Sequence, residues 1–167
     1  MTLNTILFTP QLITELYKRS LIEINKKEFT TTENTEQVNW KFLGENRKNI
    51  LILVNNPDVV FLPDAQLDFL TKLLSACNLN LGDVAVLNFN THPTLNSKDL
   101  ITHFNSKTIF LFGVEPGSIG MPILFPHFQI QNFNNCTYLF TPSLSELEND
   151  KLLKSKFWVC LKKIFNL

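Results

Sequence analysis

The run Ile50-Leu51-Ile52-Leu53-Val54 is apolar at every position and stops abruptly at Asn55-Asn56-Pro57-Asp58. An unbroken aliphatic run of this length, closed by turn residues, predicts a strand buried on both faces that empties into a polar turn. The pattern recurs. Val84-Ala85-Val86-Leu87 ends at Asn88-Phe89-Asn90, Thr108-Ile109-Phe110-Leu111-Phe112 at Gly113-Val114-Glu115-Pro116-Gly117, and Tyr138-Leu139-Phe140 at Thr141-Pro142-Ser143. Between these runs the spacing turns helical. Over residues 62–78, Leu67, Leu70, Leu73, Leu74 and Cys77 form one apolar stripe, with Pro63 suited to the first helical position and Asp64 to the positive end of the dipole. A shorter helix is expected over residues 97–104, capped by Ser97, with Leu100, Ile101 and Phe104 inward. Ser143 and Glu146 have capping-box spacing. A last helix should start near Asp150 behind an Asn149 cap, with Leu153, Phe157, Cys160, Leu161 and Ile164 inward and Lys162 and Lys163 at its negative end.

Towards the amino end, Leu12, Ile13, Leu16, Leu21 and Ile24 recur at helical steps over residues 10–24, while residues 30–36 are polar and show no period. Val38, Trp40 and Phe42 alternate with polar neighbours, as a short strand or an extended lid with one buried face would. Residues 1–47 therefore read as a helix-and-loop arm and residues 48–167 as one α/β domain. Residues 118–135 carry Pro122 and Pro126 and look irregular, except that Phe128 and Ile130 alternate with Gln129 and Gln131 like a short edge strand. Alternating strands and helices predict a three-layer, doubly wound α/β fold around a mostly parallel, four-stranded central sheet. Ligands of such sheets sit beyond the carboxyl ends of the strands. The candidate cleft is thus Asn55, Asn56, Asp58, Asn88, Thr141 and Ser143.

Composition narrows the function classes. The chain has 167 residues, 15 basic and 15 acidic, so no overall field draws it to nucleic acid or an anionic membrane. No apolar stretch approaches membrane-spanning length, and the amino-terminal residues lack the layout of a signal peptide, so a cytoplasmic protein without a membrane is expected. Cys77, Cys136 and Cys160 form neither a CxxC pair nor a Cys/His zinc pattern and read as small core residues. His92, His103 and His127 show no metal-ligand spacing, and Glu115-Pro116-Gly117 lacks the Gly-Lys-Ser/Thr of a phosphate loop. Neither a metal nor a cofactor is expected.

Taken together, Asn55-Asn56-Pro57-Asp58, Leu87-Asn88, the turn after Phe112, and Thr141-Pro142-Ser143-Leu144-Ser145 leading into a basic amphipathic helix resemble the uracil-DNA glycosylase fold over about residues 48–164. In that family strand one opens into Gln-Asp-Pro-Tyr-His, strand two ends in Leu-Asn, and strand four ends in His-Pro-Ser-Pro-Leu-Ser. The resemblance implies Asp58 placing a water and Asn88 reading a base. This chain departs from the family at Thr141, which stands where the His belongs. No His follows Pro57-Asp58, and the base-stacking loop has shrunk to Asp58-Val59-Val60-Phe61. In size and segment lengths the chain is also similar to the psi-subunit family of the bacterial DNA polymerase III clamp-loader complex, which keeps this fold without glycosylase chemistry. There an Asn-Asp turn leads into a Leu-rich helix, and Ser-Pro-Ala-Leu precedes a helix with a central Trp, as Thr141-Pro142-Ser143-Leu144 and Trp158 do here.

Several residues carry two readings. Asp58 is a base or a turn residue bonding backbone amides, Asn88 a base reader or a tie for a neighbouring loop, and Ser143 a cap rather than a nucleophile. Trp40 is a plug over the core or, with Phe42, a docking aromatic; Leu12 and Leu16 dock a partner or pack on the sheet. The expectation is a non-catalytic interaction protein resembling the psi subunit, with a protein partner among replisome components and weakly supported DNA contact. The alternative is a divergent glycosylase.

Overall fold

Every residue of Ile50–Val54 is buried, and the alternation of side chains sends Ile50, Ile52 and Val54 into one apolar cluster and Leu51 and Leu53 into another. That is why the run shows no polar face: the strand is covered on both sides. The computed structural model describes residues 40–92 and 94–167, which belong to one compact unit, Trp40–Leu167. The helix expected over residues 10–24, with Leu12 and Leu16, lies outside the described residues, as does Val38.

Six strands form one mixed sheet: β1 (Leu43–Gly44), β2 (Ile50–Val54), β3 (Val84–Asn88), β4 (Thr108–Phe112), β5 (Ile130–Phe133) and β6 (Cys136–Thr141), in the order β1-β3-β2-β4-β6-β5. The four parallel strands are those expected from the apolar runs, β3-β2-β4-β6. The expected four-stranded sheet is corrected by two antiparallel edges. β1 pairs Leu43 with Val86, so the strand near Trp40 and Phe42 lies one step further on, and residues 43–44 belong to the sheet rather than to an arm. β5 pairs with β6 through a two-residue turn, Asn134-Asn135, in which both residues have positive φ (51° and 58°). Such turns match the twist of the strands they join, and Asn tolerates them. Phe128 sits outside β5 with φ of 63°, which ends the expected alternation.

Helices cover both faces of the sheet. α1 (Asp64–Ala76), α3 (Leu144–Asn149) and α4 (Lys151–Phe165) pack on the Ile50, Ile52 and Val54 side through Leu70, Leu74, Leu144, Leu147, Phe157 and Leu161. α2 (Ser97–Phe104) covers the other side through Leu100 and Phe104, with Met121 and Phe125 of the irregular segment beside it. Each fully buried Leu in these faces is worth about 1.5–3 kcal/mol. Three expected helix starts shift by one residue. Pro63 is the N-cap of α1, Asn96 rather than Ser97 caps α2 by accepting from the Asp99 N–H, and Asp150 rather than Asn149 caps α4 by accepting from the Leu152 and Leu153 N–H groups. Ser97 instead turns inward and is buried. None of the described helices is long and apolar enough to cross a membrane. The three cysteines are free and buried, and burial pushes their thiols up, that of Cys136 to about 12, as inert core residues require.

Candidate functional site

β2 has β3 on one side and β4 on the other, so the crossover from β2 to β3 and that from β3 to β4 run in opposite directions and a crevice is expected between the loops that follow β2 and β4. The expected residues arrange themselves on its two sides. On the β2–β3 side, Asn88 is fully buried, and its side-chain oxygen accepts from the backbone N–H groups of Asn56 (3.1 Å) and Asn90 (3.2 Å). Its amide nitrogen donates to the carbonyls of Asn56 (2.7 Å) and Val59 (2.7 Å). These four bonds use both donors and both acceptor sites of the amide, and no other orientation of the group would suit two N–H partners and two carbonyls at once. Of the two readings of Asn88, the geometry matches the loop tie. Asn90 adds a second tie, its side chain donating to the Asn55 side-chain oxygen at 3.0 Å. Asp58 stands exposed on the bend held by these bonds.

On the β4–β6 side, Thr141 is fully buried and its hydroxyl lies 3.0 Å from the Pro142 carbonyl and 3.4 Å from that of Leu111. The Gly113 N–H donates to the Thr141 carbonyl at 3.0 Å. Gly113 has φ of 65°, and a Cβ there would stand 3.3 Å from that of Ser143, so glycine lets the two loops meet. Ser143 caps α3 reciprocally: its hydroxyl donates to the Glu146 carboxylate at 2.6 Å and accepts from the Glu146 N–H, and its own N–H donates to the same carboxylate at 2.9 Å. Among the described residues, no hydrogen bond joins the β2–β3 set to the β4–β6 set. The crevice is thus bordered by two separately braced loops, with Asp58 as an exposed carboxylate on one of them.

The bonds from the Ser143 hydroxyl and N–H hold the Glu146 carboxyl below its ordinary value, with His127 adding a smaller push in the same direction against slight burial. A carboxyl lowered in the folded state contributes stability that is present above its unfolded value, near 4.5, and lost as pH falls through the lower folded value. Glu146→Gln should therefore be less stable than wild type at about pH 6, and the difference should shrink as pH approaches about 3. Urea-unfolding midpoints of both proteins across that range check this; a difference independent of pH would assign the cap to hydrogen bonding without charge.

The remaining expected residues lie elsewhere. Trp40 is half-buried against α2, its ring centroid 5.0 Å from that of His103 and 5.9 Å from that of His92, with Phe104 edge-on at 5.7 Å. Phe42 meets Phe104 edge-on at 5.2 Å and remains 37% exposed. The two histidines near Trp40 come from 52 and 63 positions along the chain, a grouping no local spacing announces. Among the described residues, no group of three or more His, Cys, Asp or Glu side chains is arranged to hold a metal ion. An apolar cavity of about 20 Å³, room for roughly one water, lies under α1 and α4 between Leu70, Leu74, Phe110, Phe112, Phe157 and Leu161.

No known family model matches this chain, and no curated protein does either. What the structure establishes about its class is an α/β domain with a mixed, mostly parallel six-stranded sheet flanked by helices.

Proposed function

We propose that this chain is a non-catalytic protein-interaction module, built on a uracil-DNA glycosylase-like α/β scaffold and akin to the psi subunit of the DNA polymerase III clamp-loader complex. The observation that supports this most is Asn88. A base-reading amide must offer its donor and acceptor to a ligand, whereas all the capacity of this one is engaged by the loop after β2 and the turn after β3. Thr141 and Ser143 are likewise engaged within their own turns, where glycosidic cleavage needs groups free to steady charge on the leaving base. The partner is a protein of the replication machinery, DNA contact is secondary, and the setting is cytoplasmic.

Asp58 favours the second reading, a divergent uracil-DNA glycosylase, because it is an exposed carboxylate at the end of β2. Excision assays on single-stranded and duplex DNA containing uracil separate the two. Asp58→Ala is the informative variant, since its side chain is exposed and its loss leaves the loop bonds in place. Wild type and variant are expected to leave the DNA intact; cleavage by wild type that Asp58→Ala abolishes would overturn the module reading. Gel filtration with a purified clamp-loader complex tests the partner, and separate elution would remove the replisome assignment.

A further inference from the structure

α4 is amphipathic twice over. Its inner face, with Phe157, Cys160 and Leu161 buried, packs on the sheet, yet Leu152 and Val159 point outward and are 64% and 45% exposed. Seven residues apart, they lie two turns from each other on one line down the solvent side. Helical spacing puts Lys156 and Lys163 along one flank of that line and Lys151 and Lys162 along the other. Residues 151–165 contain these lysines and Lys154 but no Asp or Glu, in a chain whose total charge is zero.

Lys154 is already engaged: it donates to the Glu148 carbonyl at 2.8 Å and lies over the Phe69 ring. The other four are exposed and make no ion pair among the described residues. The helix dipole accounts for Lys162 and Lys163 at the carboxyl end, but Lys151 stands in the first turn, where a cation costs about 0.3–1 kcal/mol. Helix stability therefore does not explain the whole set.

Resting on the interaction-module reading, we infer that the solvent face of α4 docks an acidic amphipathic helix of the partner, whose aliphatic row packs on Leu152 and Val159 while flanking carboxylates pair with Lys151, Lys156, Lys162 and Lys163. Two aliphatics at a seven-residue step form the seam that helices use to pack on one another. A phosphodiester backbone would leave that seam unused. A membrane surface is matched less well, because the line carries no aromatic anchor and the larger apolar face of α4 is already buried in the fold.

The probe is a fluorescent synthetic peptide of about 15 residues, helical over the length of α4, with Leu at alternating three- and four-residue steps and Glu on both flanks. The intact chain should bind it with salt-sensitive affinity. Leu152→Ser/Val159→Ser and, separately, Lys156→Glu/Lys163→Glu should each weaken binding about tenfold or more, as should replacing the peptide Glu by Gln. All four positions are exposed, and unchanged circular dichroism and melting temperature confirm the fold of each variant. Undetectable peptide binding, or binding that neither double variant changes, overturns the proposal. So does lysine-dependent binding of single-stranded DNA, or of vesicles of phosphatidylglycerol and phosphatidylcholine, in place of the peptide. Uracil excision would remove the module reading whatever the peptide does, whereas peptide failure without excision removes only this face.

Discussion

Asn88→Ala is expected to lower the stability of the domain by about 3–5 kcal/mol, with a fall in melting temperature of roughly 10 °C or more. The side chain is fully buried and makes four hydrogen bonds to the loop beyond β2 and to the turn beyond β3. Its removal strands two N–H groups and two carbonyls. A buried group left without a partner costs about 1–3 kcal/mol. The sum stays below four full penalties because Asn56 and Val59 are only half-buried and Asn90 is exposed, so water reaches part of the gap. Asn88→Asp sharpens the test. It keeps the acceptor for Asn56 and Asn90 but sets a carboxylate oxygen against the carbonyls of Asn56 and Val59, and should destabilise at least as much as alanine at neutral pH. Urea unfolding of both variants measures this. A loss below about 1 kcal/mol in each would mean that the loop is held by other contacts and that the amide is free for a ligand.

Gly44→Ala is expected to detach the β1 edge and cost about 3 kcal/mol or more. Gly44 has φ of 103°, and a Cβ there would lie 2.6 Å from the Leu81 carbonyl oxygen and closer still to that of Val84. Both obstacles are backbone, held in place by β3 and the 3-10 turn Leu81–Asp83, so no side-chain rotation relieves the clash. The N–H groups of Asn46, Arg47 and Lys48 bond to the carbonyls of Val84, Gly82 and Asp83 just beyond this point. Hydrogen exchange should show these amides losing protection while those of α1 and α4 keep theirs relative to the new global stability. Gly117→Ala is the control: its added Cβ would meet only a Leu124 methyl at 3.6 Å, an ordinary contact, and stability should change little. Equal behaviour of the two variants would show that β1 yields without strain.

Asparagine takes over much of the work glycine does in other chains. Among the described residues, the non-glycine positions with positive φ are Asn46, Asn49, Asn78, Asn105, Asn134, Asn135, Asn166 and Phe128. Asn105 and Asn166 end α2 and α4, and Asn134-Asn135 turns the β5–β6 hairpin. Reading these asparagines as left-handed turn residues would have located the hairpin from sequence.

The four parallel strands and the helices α1 and α4 are determined by sequence alone, because a strand covered on both faces must be apolar at every position and a helix on a sheet must carry a stripe. The capping box of Ser143 and Glu146 is equally local, since both partners lie within one turn. The edges were decided by tertiary structure. β1 is two residues long and shows no period, and β5 keeps only the Ile130-Gln131 end of the alternation expected from Phe128 onward, so the extent of each strand is set by the ladder that a neighbour offers it. Whether Ser97 or Asn96 caps α2 likewise depended on which side chain the core would take in. The role of Asn88 lies furthest from the sequence. Its residue type allows a ligand contact or a loop tie, and the loop partners it bonds come from positions 56 and 59, brought to it only when β2 and β3 pair in register.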